Sequence, residues 1–447
     1  MKLPTLLTAL LLLNQLLSAA EPAGGVLILI DLLNDPGEDR EKIIRSIDEQ
    51  WDPTFLAGIY DIVRLVDRET ADELFALATR KTGVGPPFDH SSLGRWIWER
   101  PANLDVRYAD FKAKVYGRID ERFTSYFSDD RITTVRLDEI VWGGVRQNGI
   151  PPLRGPQMLV AEDAVYLHDS DVVFGVELNG DARAYPKRIL GWHEMLMDTV
   201  GGIPFAGVYC TLCGSFIGYR TQVGETHHTL GTSGFLYRSN KLIFDEANQS
   251  LWNTLTGEPV VGPLVGKGIK LERLPVVTST WGEWRRRHPG TTVLSLDTGH
   301  KRDYSEDASY GDYWATDELM FDVPIHDLRL KNKDEVLAIL PREGGSTPIA
   351  ISHEFLLRTP MYETKAGSTQ LLVLTDISGA HRVYDAGNHQ WKDWDLRSKL
   401  QDMTGEEWIV SESAIRSSTG EQLDRYPSHN SFWFGWINAF TNTKLIR

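Results

Sequence analysis

Cysteine is nearly absent from this chain, with two residues in 447. Two thiolates supply only two ligands, so a metal site built on them needs further donors from elsewhere. Cations are in deficit too: 47 Lys plus Arg stand against 62 Asp plus Glu, the net charge is −15, and no block of basic residues occurs. That balance disfavours a general nucleic-acid binder and an anionic-lipid binder, both of which need clustered cations. Apolar runs long enough for a bilayer are missing beyond the first twenty residues. With 41% hydrophobic and 24% charged residues, the chain is neither disordered nor a multi-span membrane protein. At about 150 residues per domain the length predicts two or three domains.

The first twenty residues carry Lys2, an apolar run from Leu6 to Leu17, and the small residues Ser18, Ala19 and Ala20. This is the pattern of a secretory signal peptide cleaved after Ala20, interrupted by Asn14 and Gln15 and short for a membrane span. The expectation is a periplasmic or secreted protein with no membrane span after cleavage. In an oxidising compartment a cysteine is bridged, metal-bound or catalytic.

Residues 21–130 read as a helical domain. Asp52-Pro53 opens a helix with Phe55, Leu56, Ile59, Ile62 and Val63 at spacings of three and four. Thr70 to Glu73 is read as a capping box before Leu74, Phe75 and Leu77, with Gly83 closing the segment, and a further helix is expected from about Asp105 to Phe127. No self-similar period is present, which favours an irregular helical bundle over a repeat array. After Arg131 the period becomes alternating. Asn179-Gly180 between two apolar stretches is a strong hairpin signal, and further turns are expected at Ser239-Asn240, Thr256-Gly257, Ser378-Gly379 and Thr419-Gly420. The fold class expected is α+β: an N-terminal helical region, then a large, mainly antiparallel β domain over 131–447 with short helices near Trp281–His288 and Asn332–Ala338.

The sharpest local feature is Tyr209-Cys210-Thr211-Leu212-Cys213-Gly214-Ser215, which puts both cysteines on one tight turn between the strand-like stretches Ile203–Tyr209 and Phe216–Tyr219. Thiolates three positions apart hold one soft metal ion or close a small, exchangeable disulfide. Among twelve histidines, His193 in Gly191-Trp192-His193-Glu194 and His429 in the aromatic tail ending at Trp436 are the candidates to complete a metal site. Such a set suits Zn(II) or Cu(I). A lone His beside Trp is equally well a hydrogen-bonded core residue.

Other motifs fall short. His193-Glu194 is followed by Met197 where a zinc-protease helix needs a second His, Gly231-Thr232-Ser233-Gly234 lacks the spacing of a nucleophile elbow, and Gly262–Lys267 is one residue short of a phosphate loop. His227 and His228 point to opposite faces of a strand and do not share an ion. The segment from Leu296 to Tyr304, with Asp297 and His300, is polar and turn-rich, and Tyr310 and Tyr313 follow. It reads as a solvated loop, or as a lid in which His300 and the tyrosines face a ligand.

Asn179-Gly180-Asp181-Ala182-Arg183-Ala184-Tyr185-Pro186, Gly191-Trp192-His193-Glu194, the Tyr209–Ser215 block, Gly231–Gly234 and Ser250-Leu251-Trp252, in this order and spacing, resemble the domain-of-unknown-function family 3179. The aromatic tail from His429 and the Asp297-Thr298-Gly299 turn fit the same pattern, so the likeness covers roughly 131–447. That family often has Pro between its cysteines where this chain has Thr211. The resemblance implies an ordered cysteine pair and supplies no reaction.

The residues therefore support three expectations. The first is an exported metal-binding protein, of the kind a copper-dependent redox enzyme would be. Cys210, Cys213, His193 and His429 would hold one Cu(I) or Zn(II), with Tyr185, Trp192, Tyr209, Asp297, His300 and Tyr304 around the ion or its ligand. The second is a thiol–disulfide oxidoreductase in which Cys210 attacks and Cys213 resolves, although the β setting differs from the strand-to-helix setting of thioredoxin-like sites. The third is a non-catalytic module that captures a ligand or glycan. The substrate is a small molecule or a protein, and the helical domain is expected to contact a protein partner.

Overall fold

A computed structural model describes residues 24–34, 37, 39–128, 130–342 and 344–447. The signal peptide expected over 1–20 lies outside the described residues. The chain divides into two compact units, 1–130 and 131–447. Among the described residues no helix is long and apolar enough to cross a membrane.

The first unit is helical, with Arg40–Glu49, Phe55–Ile62, Arg68–Thr82, His90–Trp98 and Tyr108–Gly117 as its main elements. Every residue of Phe55–Ile62 is buried. The third of these helices begins earlier than the Thr70–Glu73 signal predicts: Asp67 is its cap, accepting from the Thr70 backbone N–H at 3.0 Å, and Gly83 ends it in the left-handed conformation at φ 67°. The helix expected over Asp105–Phe127 stops at Gly117 and gives way to a 3-10 turn, Glu121–Tyr126. Tyr108, Lys112 and Tyr116 stand four residues apart on one face and converge on Asp61, whose carboxylate accepts from the two hydroxyls at 2.7 and 2.8 Å and from Lys112 Nζ at 3.0 Å. Lys112 and Asp61 have fully buried side chains. Removing one partner of such a pair costs about 3–5 kcal/mol because the other charge is left unpaired.

The second unit is built from mostly antiparallel sheets. Asn179 and Gly180, at φ 50° and 81°, form the expected turn between Val172–Leu178 and Asp181–Pro186. The hairpin predicted at Ser239-Asn240 turns one residue earlier, through Arg238 and Ser239 at φ 49° and 62°. The short helix near Trp281 is present as Trp281–Arg287. The one expected over Asn332–Ala338 is instead the strand Glu335–Ile339, flanked by Ile349–Ser352 and His429–Phe432. A run of four apolar residues buried on both faces carries no period that separates strand from helix.

One sheet positions the cysteines. Its strands run in the order Glu272–Leu274, Ser215–Arg220, Ile203–Cys210, Met195–Val200 and Leu153–Arg154. Cys210 pairs with Ser215 at the end of the central hairpin, so the two cysteines bracket its turn.

Candidate functional site

Cys210 and Cys213 are joined as a disulfide with Cα atoms 5.3 Å apart. The turn is closed by the Cys213 N–H donating to the Cys210 carbonyl at 3.2 Å, and Gly214 at φ 61° turns the chain into the next strand. Cys210 is 2% exposed and Cys213 is fully buried. Cys213 is held from three sides. Its carbonyl accepts from the Phe432 N–H at 2.7 Å, its Sγ lies 3.4 Å from the Ser239 carbonyl oxygen, and a Cβ at Gly435 would come within 3.1 Å of its Cβ. A side chain at position 435 would press on Cys213.

Below the turn lies a buried ion pair. Glu194 caps the helix Lys187–His193 at φ 55°, an uncommon backbone conformation for a side chain of this size. Its carboxylate accepts from Thr211 Oγ1 at 2.7 Å and from Tyr310 OH at 3.3 Å, and pairs with Lys241 Nζ. Burial pushes the Lys241 ammonium down to about 7. Glu194, Leu212, Thr232, Leu236, Lys241 and Tyr310 border a cavity of about 60 Å³. Cys210, Leu212, Cys213 and Leu236 form one apolar cluster with Tyr310, Tyr313 and Phe321 against it, so the disulfide and this cavity share a side of the sheet.

A strap runs over the turn. The short helix Gly311–Trp314 lays two aromatic donors on it: Tyr313 OH donates to the Leu212 carbonyl at 3.0 Å and Trp314 Nε1 to the Thr211 carbonyl at 2.9 Å. His193 holds the beginning of the strap. Its Nδ1 donates to the Pro151 carbonyl at 2.8 Å, which leaves Nε2 to accept from Tyr304 OH at 2.6 Å, and Tyr304 in turn contacts Thr298 Oγ1 at 2.6 Å. Burial lowers His193 to about 4, so the imidazole is neutral. The His300 ring is 5.1 Å from that of His193. Asp297 donates its N–H to Ser295 Oγ at the base of the same loop.

The remaining sequence candidates are dispersed. His429 sits on a strand opposite Ala338, with its ring 5.8 Å from that of Trp436 and its Nε2 without a hydrogen-bond partner among the described residues. Burial, aided by Arg273, lowers it to about 3. Tyr185 donates to Asp198 at 2.8 Å beside the Arg183 ion pairs. Trp192 donates to the Asp303 carbonyl at 2.6 Å. Tyr209 packs on Phe174, on the face of the strand opposite Cys210. Among the described residues no three His, Cys, Asp or Glu side chains are grouped to hold one metal ion. The four-ligand set Cys210, Cys213, His193 and His429 is therefore not assembled: the sulfurs are bonded to each other, and both His193 nitrogens are committed to Pro151 and Tyr304.

Glu194 and Lys241 were outside the sequence-derived site. Glu194 carried a signal only as the residue after His193. Lys241 carried a better one, a lone cation in the strand Asn240–Asp245, every residue of which is buried.

No curated protein and no solved structure matches this chain. The profile of a family described as "Protein of unknown function (DUF3179)" matches residues 147–443, a span that contains the disulfide turn, Glu194, Lys241 and the strap. The chain belongs to the DUF3179 family.

Proposed function

We propose that this protein is a thiol–disulfide oxidoreductase whose Cys210–Cys213 pair cycles between disulfide and dithiol. The observation that carries the reading is the closure of the chain's two cysteines into one four-residue disulfide loop, placed against a buried Glu194–Lys241 pair and beneath a hydrogen-bonded strap. A purely structural bridge across so short a turn removes little chain entropy from the unfolded state. An exported location, expected from residues 1–20, suits the chemistry because disulfides persist in oxidising compartments.

The two sulfurs have different roles. An incoming thiolate attacks Cys210 Sγ, the S–S bond breaks, and its electron pair leaves on Cys213 Sγ. Cys213 takes up a proton from solvent, and the resulting thiol donates a hydrogen bond to the Ser239 carbonyl, an acceptor that favours the neutral thiol. A second substrate thiolate attacks the substrate sulfur of the mixed disulfide, releasing Cys210 as a thiolate that is then protonated. Two thiols become one disulfide while the protein gains two electrons and two protons; a low-mass disulfide runs the sequence backwards and restores the enzyme. Glu194 and Lys241 place a titratable proton on this side of the sheet, and Lys241 brings a cation where thioredoxin-like sites use a helix N-terminus. Access requires the Gly311–Trp314 helix to lift, which breaks the two aromatic hydrogen bonds to the turn.

The test is the exchange between dithiothreitol and glutathione disulfide at pH 6, where the uncatalysed reaction is slow. The expected rate rises in proportion to added protein and returns to background with Cys210→Ala. A background rate with the wild-type chain, its disulfide intact throughout, overturns the proposal. One equivalent of Cu(I) or Zn(II) held by the reduced chain and lost in Cys210→Ala overturns it too, in favour of a metal site.

A further inference from the structure

A second cavity, of about 150 Å³, opens on the other face of the cysteine hairpin. Its apolar wall is Phe174, Tyr209 and Phe432, and its polar lining includes Lys187, Glu335 and Asn430. Tyr209 is adjacent to Cys210 in sequence but points to the opposite side of the strand, so this space is separate from the cavity bordered by Glu194 and Lys241.

None of the three polar groups has a hydrogen bond or ion pair to a described residue. Lys187 Nζ lies 3.7 Å above the centre of the Trp314 ring and makes no hydrogen bond or ion pair among the described residues. Burial lowers its pKa, while Glu335, Asp307 and Glu306 act to raise it from a distance. Glu335 sits exposed at the start of its strand with no ion pair to a described residue, and the side chain of Asn430 has no hydrogen-bond partner among the described residues. Lys187 Nζ lines the cavity with no hydrogen-bond acceptor among the described residues, so it is open to a ligand anion. Here a cation and an amide stand with a carboxylate at the border of an aromatic pocket.

We infer that this cavity binds a free α-amino acid with an apolar side chain. The ligand carboxylate meets Lys187 and the Asn430 amide, its ammonium meets Glu335, and its side chain lies on Phe174, Tyr209 and Phe432. The lining offers a partner for each part of such a molecule: charged groups of both signs, an aromatic side of Phe174, Tyr209 and Phe432, and a remaining wall of mixed character that includes Thr278, Ser279 and His353. This site does not depend on the redox chemistry of the disulfide.

The inference is tested by isothermal titration of the full oxidised chain with three probes: L-leucine, 4-methylpentanoate, which lacks the ammonium, and L-leucinamide, which lacks the carboxylate. Leucine is expected to bind one to one, and each truncated analogue at least tenfold more weakly. Lys187→Met should weaken leucine binding at least tenfold. Glu335→Gln, at the exposed start of its strand, should weaken leucine while leaving 4-methylpentanoate unchanged. Cys210→Ala should bind leucine as the wild type does, whether or not exchange activity is lost. Absence of heat with millimolar leucine, or equal affinity for all three probes, overturns the inference.

Discussion

The Cys213→Ala variant, treated with glutathione disulfide and then freed of low-mass thiol, is expected to carry one glutathione per chain on Cys210, detected by intact mass. Cys210→Ala under the same treatment should carry almost none. With its partner removed, Cys210 keeps a mixed disulfide because no second protein thiol is present to displace it. Cys213 is expected to behave differently because its sulfur faces Gly435 and the Ser239 carbonyl on the inner side of the turn, whereas Cys210 is the sulfur reached when the Gly311–Trp314 helix lifts. The contrast is close to all or none, and it reads the assignment of attacking and resolving sulfur directly. Equal labelling of both variants contradicts the assignment; labelling confined to Cys210→Ala reverses it.

The second large effect is a loss of stability in acid. His193, His381 and His429 are buried neutral, with pKa values pushed down to about 4, 3 and 3 from an unfolded value of 6.5. His381 is fixed in that state by Thr375 Oγ1 at 2.9 Å on one nitrogen and His353 Nδ1 at 2.8 Å on the other. Below pH 6.5 the unfolded chain binds protons at these three positions and the folded chain does not, so their contribution is complete above 6.5 and is lost as the pH falls toward 4 and 3. At pH 5 each histidine removes about 2 kcal/mol and the three together on the order of 6 kcal/mol, against a typical total of about 5–15 kcal/mol. Urea unfolding followed by tryptophan fluorescence at pH 7.5 and pH 5 should show this fall in the 131–447 unit. His429→Phe should reduce the pH dependence by about one third. A transition independent of pH across that range would show that these imidazoles titrate normally.

Much of the fold was legible because the signals were local. The Asn179-Gly180 turn, the cysteine hairpin and the change from a three-to-four period to an alternating one near residue 131 each depend on a few adjacent residues whose backbone preferences agree with the final structure. Where burial is two-sided the pattern fails, as in Val336–Ala338, read as helical and found in an inner strand of a four-stranded sheet. A cap is equally exposed to competition: Asp67 and Thr70 are both good capping residues, and the carboxylate of the first captures the N–H of the second.

The site was legible in part. Cys210 and Cys213 announced themselves by spacing, and the tyrosines after residue 300 by their place in a polar loop. What joins them is non-local: Glu194 meets Lys241, 47 positions away, and Tyr310, 116 positions away. No spacing rule reaches such distances, and a left-handed backbone at Glu194 cannot be anticipated from its residue type. His429 resembled a ligand because it lies among aromatics, and that burial holds it neutral.

The account turns on whether the disulfide changes state while the protein stays folded. The direct measurement is a count of alkylated cysteines by mass spectrometry on the chain equilibrated without denaturant across a series of reduced-to-oxidised glutathione ratios, then quenched with acid and alkylated in denaturant. The account predicts a single two-electron transition from zero to two thiols within the glutathione range, above the roughly −300 mV below which structural disulfides lie, with far-ultraviolet circular dichroism unchanged from end to end. A count that stays at zero at every ratio, or thiols that appear only as the circular dichroism collapses, would contradict it and make the bridge a structural one.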